Sequence, residues 1–266
     1  MPVLYSNRTY IFEMTSRVRG ERGHIVFDFP HMLQSLPNIW CMIETKNLTK
    51  VYNPKRTPYT AINDVSLSLE EGKSIAMMGK SGSGKSTLMH LLAGLDSPSS
   101  GEIYIDGANL ATMSNRELNT FRNHSVGFVF QAFYVMPYDT VFENVALPLR
   151  IRKCSEQDIT ARVTSMLKEV GLADKQHTDT IDLSGGQKQR VSIARALVTN
   201  PKVVFADEPT GNLDSETGEE IENLLFRMQR EHKATVIVVT HDADLAQKCD
   251  EMIALKDGKL VDKTDL

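Results

Sequence analysis

Three groups of residues in this 266-residue chain combine residue types at spacings that can do chemistry. The first is Gly79-Lys80-Ser81-Gly82-Ser83-Gly84-Lys85-Ser86, which satisfies G-x-x-x-x-G-K-[ST] in full. Glycines let successive backbone N–H groups turn inward around phosphates, and a helix start behind them adds partial positive charge. Lys85 then sets a cation on the β- and γ-phosphates, the Ser86 hydroxyl is placed to ligate Mg²⁺, and Thr87 to reach the α-phosphate. A glycine-rich turn that binds nothing is the plain alternative, and the complete motif between a strand and a helix argues against it. The second group is Asp207-Glu208 at the end of the apolar run Val203–Ala206. Strand ends of open parallel sheets face the ligand crevice. Asp207 is expected in the Mg²⁺ shell, and Glu208, alternating to the other direction, is expected to polarise an attacking water. By itself such a pair is only a solvated turn; after a complete phosphate loop it completes a metal site. The third is Leu183-Ser184-Gly185-Gly186-Gln187, 20 residues before the Val203 strand. Ser184 with Gln187 fits a capping box, which accounts for two residues of the string but not for all of it.

The elements that must carry these groups alternate along the chain. Strand-like runs are Ile43–Leu48, Ser74–Met78, Ile103–Ile105, Val126–Phe130, Val203–Ala206 and Thr235–Val239. Helical runs are Ser86–Leu95, Glu156–Val170, Gln187–Thr199 (stopped by Pro201), Ser215–Arg230 and Ala243–Lys248. Fully apolar strands alternating with helices predict an α/β fold with a parallel sheet covered on both faces. Residues 132–183 break the rhythm and predict an inserted helical subdomain.

Composition narrows the function classes. With 41% apolar and 24% charged residues the chain is neither disordered throughout nor fibrous. Thirty basic against 34 acidic residues, a net charge of −4, argue against a dedicated nucleic-acid binder. No apolar run approaches the ~20 residues of a membrane span, so any membrane work falls to another chain. Cys41, Cys154 and Cys249 form neither a disulfide framework nor a zinc spacing, which suits a reducing compartment. Residues 1–41 lack a periodic apolar face and a secretory h-region, although they hold Trp40, the only tryptophan. They read as an extension or a mis-assigned start ahead of Met42, with a short docking arm as the rival reading.

The Leu183–Gln187 string resembles the signature sequence of ATP-binding cassette (ABC) ATPases, and the resemblance continues in family order. Tyr52 resembles the aromatic residue that stacks on adenine, with Tyr59 as a competing stacker. Gln131 resembles the Q-loop glutamine, Gly211-Asn212-Leu213-Asp214 the D-loop, and His241 the switch histidine. Coverage is about residues 43–262. Gly127–Gln131, Glu143–Leu149 and Ala206–Asp214 resemble the ATPases of macrolide-exporter, lipoprotein-releasing and antimicrobial-peptide transport systems. Thr180 departs from the proline common ahead of the signature, in what reads as an inconsequential loop. Met77 and Met78 replace the usual branched residues and are expected to fill the same core space.

That resemblance implies a P-loop NTPase with a RecA-like core, an N-terminal antiparallel β subdomain and an inserted helical subdomain. It implies hydrolysis of ATP with Mg²⁺ held by Ser86, Gln131 and Asp207, and catalysis by Lys85, Glu208, His241 and Gln131. It implies a head-to-tail pair, as a homodimer or with a second cassette, in which Ser184 and the Gly185-Gly186 amides of one copy meet the γ-phosphate bound by the other, with Asp214 as the D-loop residue. Integral membrane subunits would dock on the helical subdomain over residues 132–149, where Phe133, Tyr134, Val135, Met136 and Phe142 cluster, holding the chain on the inner face of the cell membrane. The same motifs also suit an ATPase that transmits force to an extracytoplasmic enzyme without transport. A soluble ABC ATPase of ribosomes or DNA fits less well, since neither a second cassette nor a coiled coil is present.

Overall fold

The computed structural model describes residues 3–5, 8–10 and 41–265 and divides the chain into two compact units, 1–39 and 40–266. In the first, β1 (Val3–Tyr5) and β2 (Arg8–Tyr10) pair antiparallel, Val3 opposite Tyr10. Cys41, the last residue of the proposed extension, belongs to a strand of the second unit, and residues 11–40, Trp40 included, lie outside the described residues.

The second unit opens with β3 (Cys41–Tyr52) and β4 (Tyr59–Glu70), followed by β5 (Ser74–Met78) and helix α1 (Lys85–Leu92). Strands β6 (Ser100–Ile105) and β7 (Ala108–Asn109) join β3 and β4 in an antiparallel sheet of order β4-β3-β6-β7. Helix α2 (Asn115–Ser125) starts at a Ser114–Glu117 capping box and buries no residue. This is why hydrophobic period gives no sign of it.

The main sheet is built from β8 (Val126–Phe130), β9 (Val203–Asp207), β10 (Thr235–Val239), β11 (Glu251–Lys256) and β12 (Lys259–Val261) around β5, in the order β12-β11-β5-β10-β9-β8. All neighbours run parallel except β12, which turns back on β11. The apolar strands serve two cores because alternate side chains face opposite ways. Val204, Ala206, Val236 and Val238 face one core, and Val203, Phe205, Ile237 and Val239 face the other. The second core is shared with α1 and the antiparallel sheet; Met77 is fully buried there.

Between β8 and helix α5 (Gly185–Leu197) lie α3 (Val141–Ile151) and α4 (Glu156–Glu169), with short 3₁₀ turns at Ala173–Lys175 and Thr180–Asp182. They pack on the first core with α5 and helix α6 (Ser215–His232); helix α7 (Ala243–Gln247) follows β10. Thr180 is not in an inconsequential loop. It is fully buried, its N–H donates to the Asp139 carbonyl at 3.1 Å, and its hydroxyl donates to Met136 O at 2.6 Å. A proline there would lack both donors. No described helix is long and apolar enough to cross a membrane.

Candidate nucleotide site

The carboxyl ends of four adjacent strands converge: Gly79 follows β5, Glu208 follows β9, Thr240 and His241 follow β10, and Gln131 follows β8. In open parallel sheets this edge is where ligands bind. The loop from Gly79 to Gly84 is shaped by close approach. A Cβ on Gly79 would sit 2.4 Å from Leu255 O and 2.5 Å from Ser83 Oγ, and one on Gly84 2.5 Å from Ala61 O. Gly84 also takes φ 103°, a left-handed value that other residues adopt only with strain. Among the described α-helices α1 alone starts without a capping side chain, so its first N–H groups stay available to an anion. Ser83 Oγ is buried with no partner. Lys85 Nζ curls back onto the loop, donating to Gly79 O at 2.6 Å and Lys80 O at 3.2 Å. A cation, an unpaired hydroxyl and free amides around one loop fit an incoming phosphate chain. Lys80, Ser81, Gly82 and Ser86 are exposed at the rim, with Thr87 half-buried.

Asp207 is the last residue of β9, and Glu208 lies outside the strand with φ 44°. A left-handed backbone, not strand alternation, therefore aims Glu208. Burial raises the Asp207 carboxyl above its usual range and the neighbouring Glu208 charge adds to this, offset partly by His90 and Lys85. A carboxylate so placed favours an added cation. Glu208 Oε1 lies 2.7 Å from His241 Nδ1, and the Thr240 hydroxyl donates to Glu208 Oε2 at 3.2 Å. His241 is 79% exposed in its side chain, and its imidazole is pulled upward by the hydrogen bond and charge of Glu208. Lys85 bears electrostatically on both Asp207 and His241, so these groups share one neighbourhood. Thr240 has one sequence signal only, its place between an apolar strand and His241. The oxygens of Ser86 and Asp207 suit Mg²⁺, which takes few protein ligands beside phosphates and water. Among the described residues no group of three or more His, Cys, Asp or Glu could hold a metal alone.

Gln131 is exposed next to this site, but its amide is engaged elsewhere. Its Nε2 donates to Asn212 Oδ1 at 3.2 Å, and Asn212 Nδ2 donates to Gln131 O at 2.9 Å. Asp214 caps α6, accepting from Thr217 N at 3.0 Å, and this bond holds its carboxyl below the usual range. The capping box at α5 is present. Gln187 N donates to Ser184 Oγ at 3.3 Å and Ser184 N to Gln187 Oε1 at 3.0 Å, which leaves the Ser184 hydroxyl proton on an exposed residue free to donate outward. Leu183, by contrast, is a core residue, 6% exposed. Gly186 is buried, and a Cβ there would meet Thr217 Cγ2 at 2.5 Å, so it serves the packing of α5 on α6.

Tyr52 and Tyr59 are cross-strand partners on one face of the antiparallel sheet. Tyr59 is 55% exposed and its hydroxyl reaches only to 3.5 Å from Gly82 O. Tyr52 is half-buried, with its hydroxyl on Asp96 at 2.9 Å.

A groove of about 320 Å³ lies beside β8, lined by Phe128, Phe130, Tyr134, Pro148, Ile151 and Arg195 among others. The expected apolar cluster divides here: Val135 and Phe142 pack on the core, while Tyr134 and Met136 are exposed. Phe133 and Tyr134 both take left-handed φ, 60° and 47°, and Arg195 donates to both carbonyls, at 2.9 and 2.6 Å.

Fold and site together define a P-loop nucleoside triphosphatase. Residues 62–211 match the ABC transporter family, and the chain belongs to it, as an ATP-binding subunit and an ATPase. The lipoprotein-releasing system ATP-binding protein LolD of Geobacter metallireducens is 42% identical over 220 residues, 83% of this chain and 98% of the relative. Its counterpart in Koribacter versatilis is 41% identical over 218 residues, 82% and 97%. Among solved structures, the dimeric post-hydrolysis state of the ATP-binding cassette MJ0796 bound to ADP and Pi has TM-score 0.75 and 41% identity, covering 83% of this chain and 97% of that one. cbiO1 of Clostridium perfringens, part of the transporter complex cbiONQ, has TM-score 0.76 and 33% identity, covering 84% and 87%.

Proposed function

We propose that the chain energises a transport complex that extracts or exports a lipid-linked cargo, the class named by its lipoprotein-releasing relatives. Those relatives favour transport over control of an external enzyme. One observation carries the reading: Lys85, Asp207, Glu208 and His241 share one neighbourhood, while the outward-donating Ser184 hydroxyl sits on a different helix start. Two copies arranged head to tail would bring Ser184 and the Gly185 and Gly186 amides of one to the phosphates held by the other. The dimeric form of the MJ0796 cassette supports this arrangement.

In this reading the loop amides from Gly79 to Thr87 hold the phosphates, and Lys85 exchanges its loop carbonyls for phosphate oxygens. Glu208 accepts the proton of the attacking water at a carboxylate oxygen. Thr240 and His241 hold that carboxylate in place, and His241 presents its free ring nitrogen to the γ-phosphate. Ser86, Asp207 and Gln131 would hold Mg²⁺, which would supply neutralisation of the phosphate charge. Gln131 would serve through its Oε1 while its Nε2 stays on Asn212, which ties the site to the Gly211–Asp214 segment. Residues 132–183 form the helical subdomain. The groove beside β8, lined in part by exposed Tyr134, receives helices of membrane subunits, which place the cassette on the inner membrane face. The paired state is tested by gel filtration of Glu208→Gln with ATP and Mg²⁺. A dimer that forms only with ATP and does not turn over is expected. A variant that stays monomeric and hydrolyses ATP refutes the assignment.

A further inference from the structure

Polar groups from two segments far apart in sequence meet around Tyr52. Lys50, two residues earlier on β3 and hence on the same face of the strand, carries its ammonium 4.9 Å from the centre of the Tyr52 ring. The same ammonium donates to Asp96 Oδ1 at 2.7 Å and to Ser97 O at 2.7 Å. Asp96 Oδ2 accepts the Tyr52 hydroxyl at 2.9 Å, and Asp96 Oδ1 also accepts Ser97 N at 2.7 Å. The Lys50 side chain is only 12% exposed, so its charge is committed to this cluster and not to solvent. Burial works against the Asp96 charge, yet the bonds from Lys50, Tyr52 and Ser97 hold its carboxyl below the usual range. Burial, with Asp96 beside it, raises the phenol of Tyr52, which stays a donor. Asp96 itself hangs from the end of the phosphate-loop helix through its N–H to His90 O at 3.2 Å, while Thr87 at the start of that helix bears on the Tyr52 hydroxyl.

We propose that Lys50 and Asp96 are positioning residues that set the Tyr52 ring for the nucleotide base. The inference rests on Tyr52, and not Tyr59, being the stacking residue. The ammonium closes one face of the ring, so only the opposite face is left to an adenine. The hydroxyl anchor on Asp96 fixes the tilt of the ring against the helix that binds the phosphates. Base and phosphate sites thereby keep a set separation before ATP arrives, and the ordering of a mobile tyrosine is not charged against binding.

The test compares, by calorimetric titration of the full chain, the affinity for ATP with that for inorganic tripolyphosphate, a probe without a base. Lys50→Met and Asp96→Ala are expected to lower the ATP-to-tripolyphosphate affinity ratio by about threefold to tenfold, with tripolyphosphate affinity kept within about twofold, in line with the loss of one or two hydrogen bonds. Tyr52→Phe keeps the stacking surface but loses the anchor, so it should fall in the same direction, while Lys50→Arg should preserve the ratio. Asp96→Ala should lose nothing further in a Tyr52→Ala background, a coupling that a general structural role would not produce. If Tyr52→Ala leaves the ratio unchanged, the stacking reading and this inference both fall. If Tyr52→Ala lowers it but Lys50→Met, Asp96→Ala and Tyr52→Phe do not, or if tripolyphosphate weakens equally, the inference alone is overturned.

Discussion

Asn144 should be among the most sensitive positions outside the nucleotide site, and its effect follows from its bonds. It is fully buried on α3. Its Oδ1 accepts Met136 N at 2.7 Å, and its Nδ2 reaches Met136 O at 3.1 Å, Asp139 O at 3.3 Å and Thr140 O at 3.0 Å. One side chain thus pins the segment that leads from Gln131 to α3. Counting three well-formed bonds at about 1 kcal/mol net each, Asn144→Ala should cost about 3 kcal/mol, or a fall of roughly 6–12 °C in Tm for a domain of this size. Asn144→Asp should cost more. It keeps the acceptor for Met136 N but sets a buried negative charge against three carbonyl oxygens. Urea unfolding at constant m-value measures the loss, and limited proteolysis should find new cleavage within residues 132–140. A loss below about 1 kcal/mol for Asn144→Ala, or Asp tolerated better than Ala, would refute the argument.

Lys85→Ala should weaken nucleotide binding and abolish hydrolysis, whereas Ser184→Arg should spare binding to the monomer and block pairing by bulk; titration and light scattering separate the two. Glu208 favours the charged imidazole, so Glu208→Gln should lower the His241 pKa toward that of an ordinary histidine, with protonation lost earlier as pH rises; NMR titration of the ring reads this directly. An unshifted or raised value would show that Glu208 does not set the charge of His241. A chain beginning at Met42 forgoes the Cys41–Glu70 pairing but keeps the buried Met42 side chain and its carbonyl bond to Asp106 N, so it should fold and bind ATP unchanged. A Tm lowered by more than about 5 °C in differential scanning calorimetry would show that residues 1–41 support the cassette.

The parallel strands and the phosphate loop were legible because their signals are local: apolar runs of strand length, and a motif read from eight consecutive residues. The antiparallel strand β4 was not. Val65, Leu67 and Leu69 alternate as a strand should, but Asp64 takes φ 55° and the register with β3 shifts beside it, so the period is interrupted. The direction of Glu208 escaped for a similar reason, since a left-handed residue cancels the alternation that aims a strand side chain. Thr180, Asn144 and the Lys50–Asp96 cluster were illegible because each acts on partners fixed by the tertiary fold. Lys50 and Asp96 are 46 residues apart, a separation at which no periodicity carries information.

The pair Phe133 and Tyr134 gives the groove a stepwise character. Each non-glycine residue held left-handed costs on the order of 1 kcal/mol, and Arg195 offsets that cost through both carbonyls. Such a backbone does not bend by degrees, because the space between left- and right-handed basins is sterically forbidden. Any displacement of this turn therefore meets a threshold. Below it the two residues hold, and above it both carbonyls leave Arg195 together, pulling on the chain that ends at Gln131. The turn that starts two residues after Gln131 is thus a two-position element latched by one guanidinium.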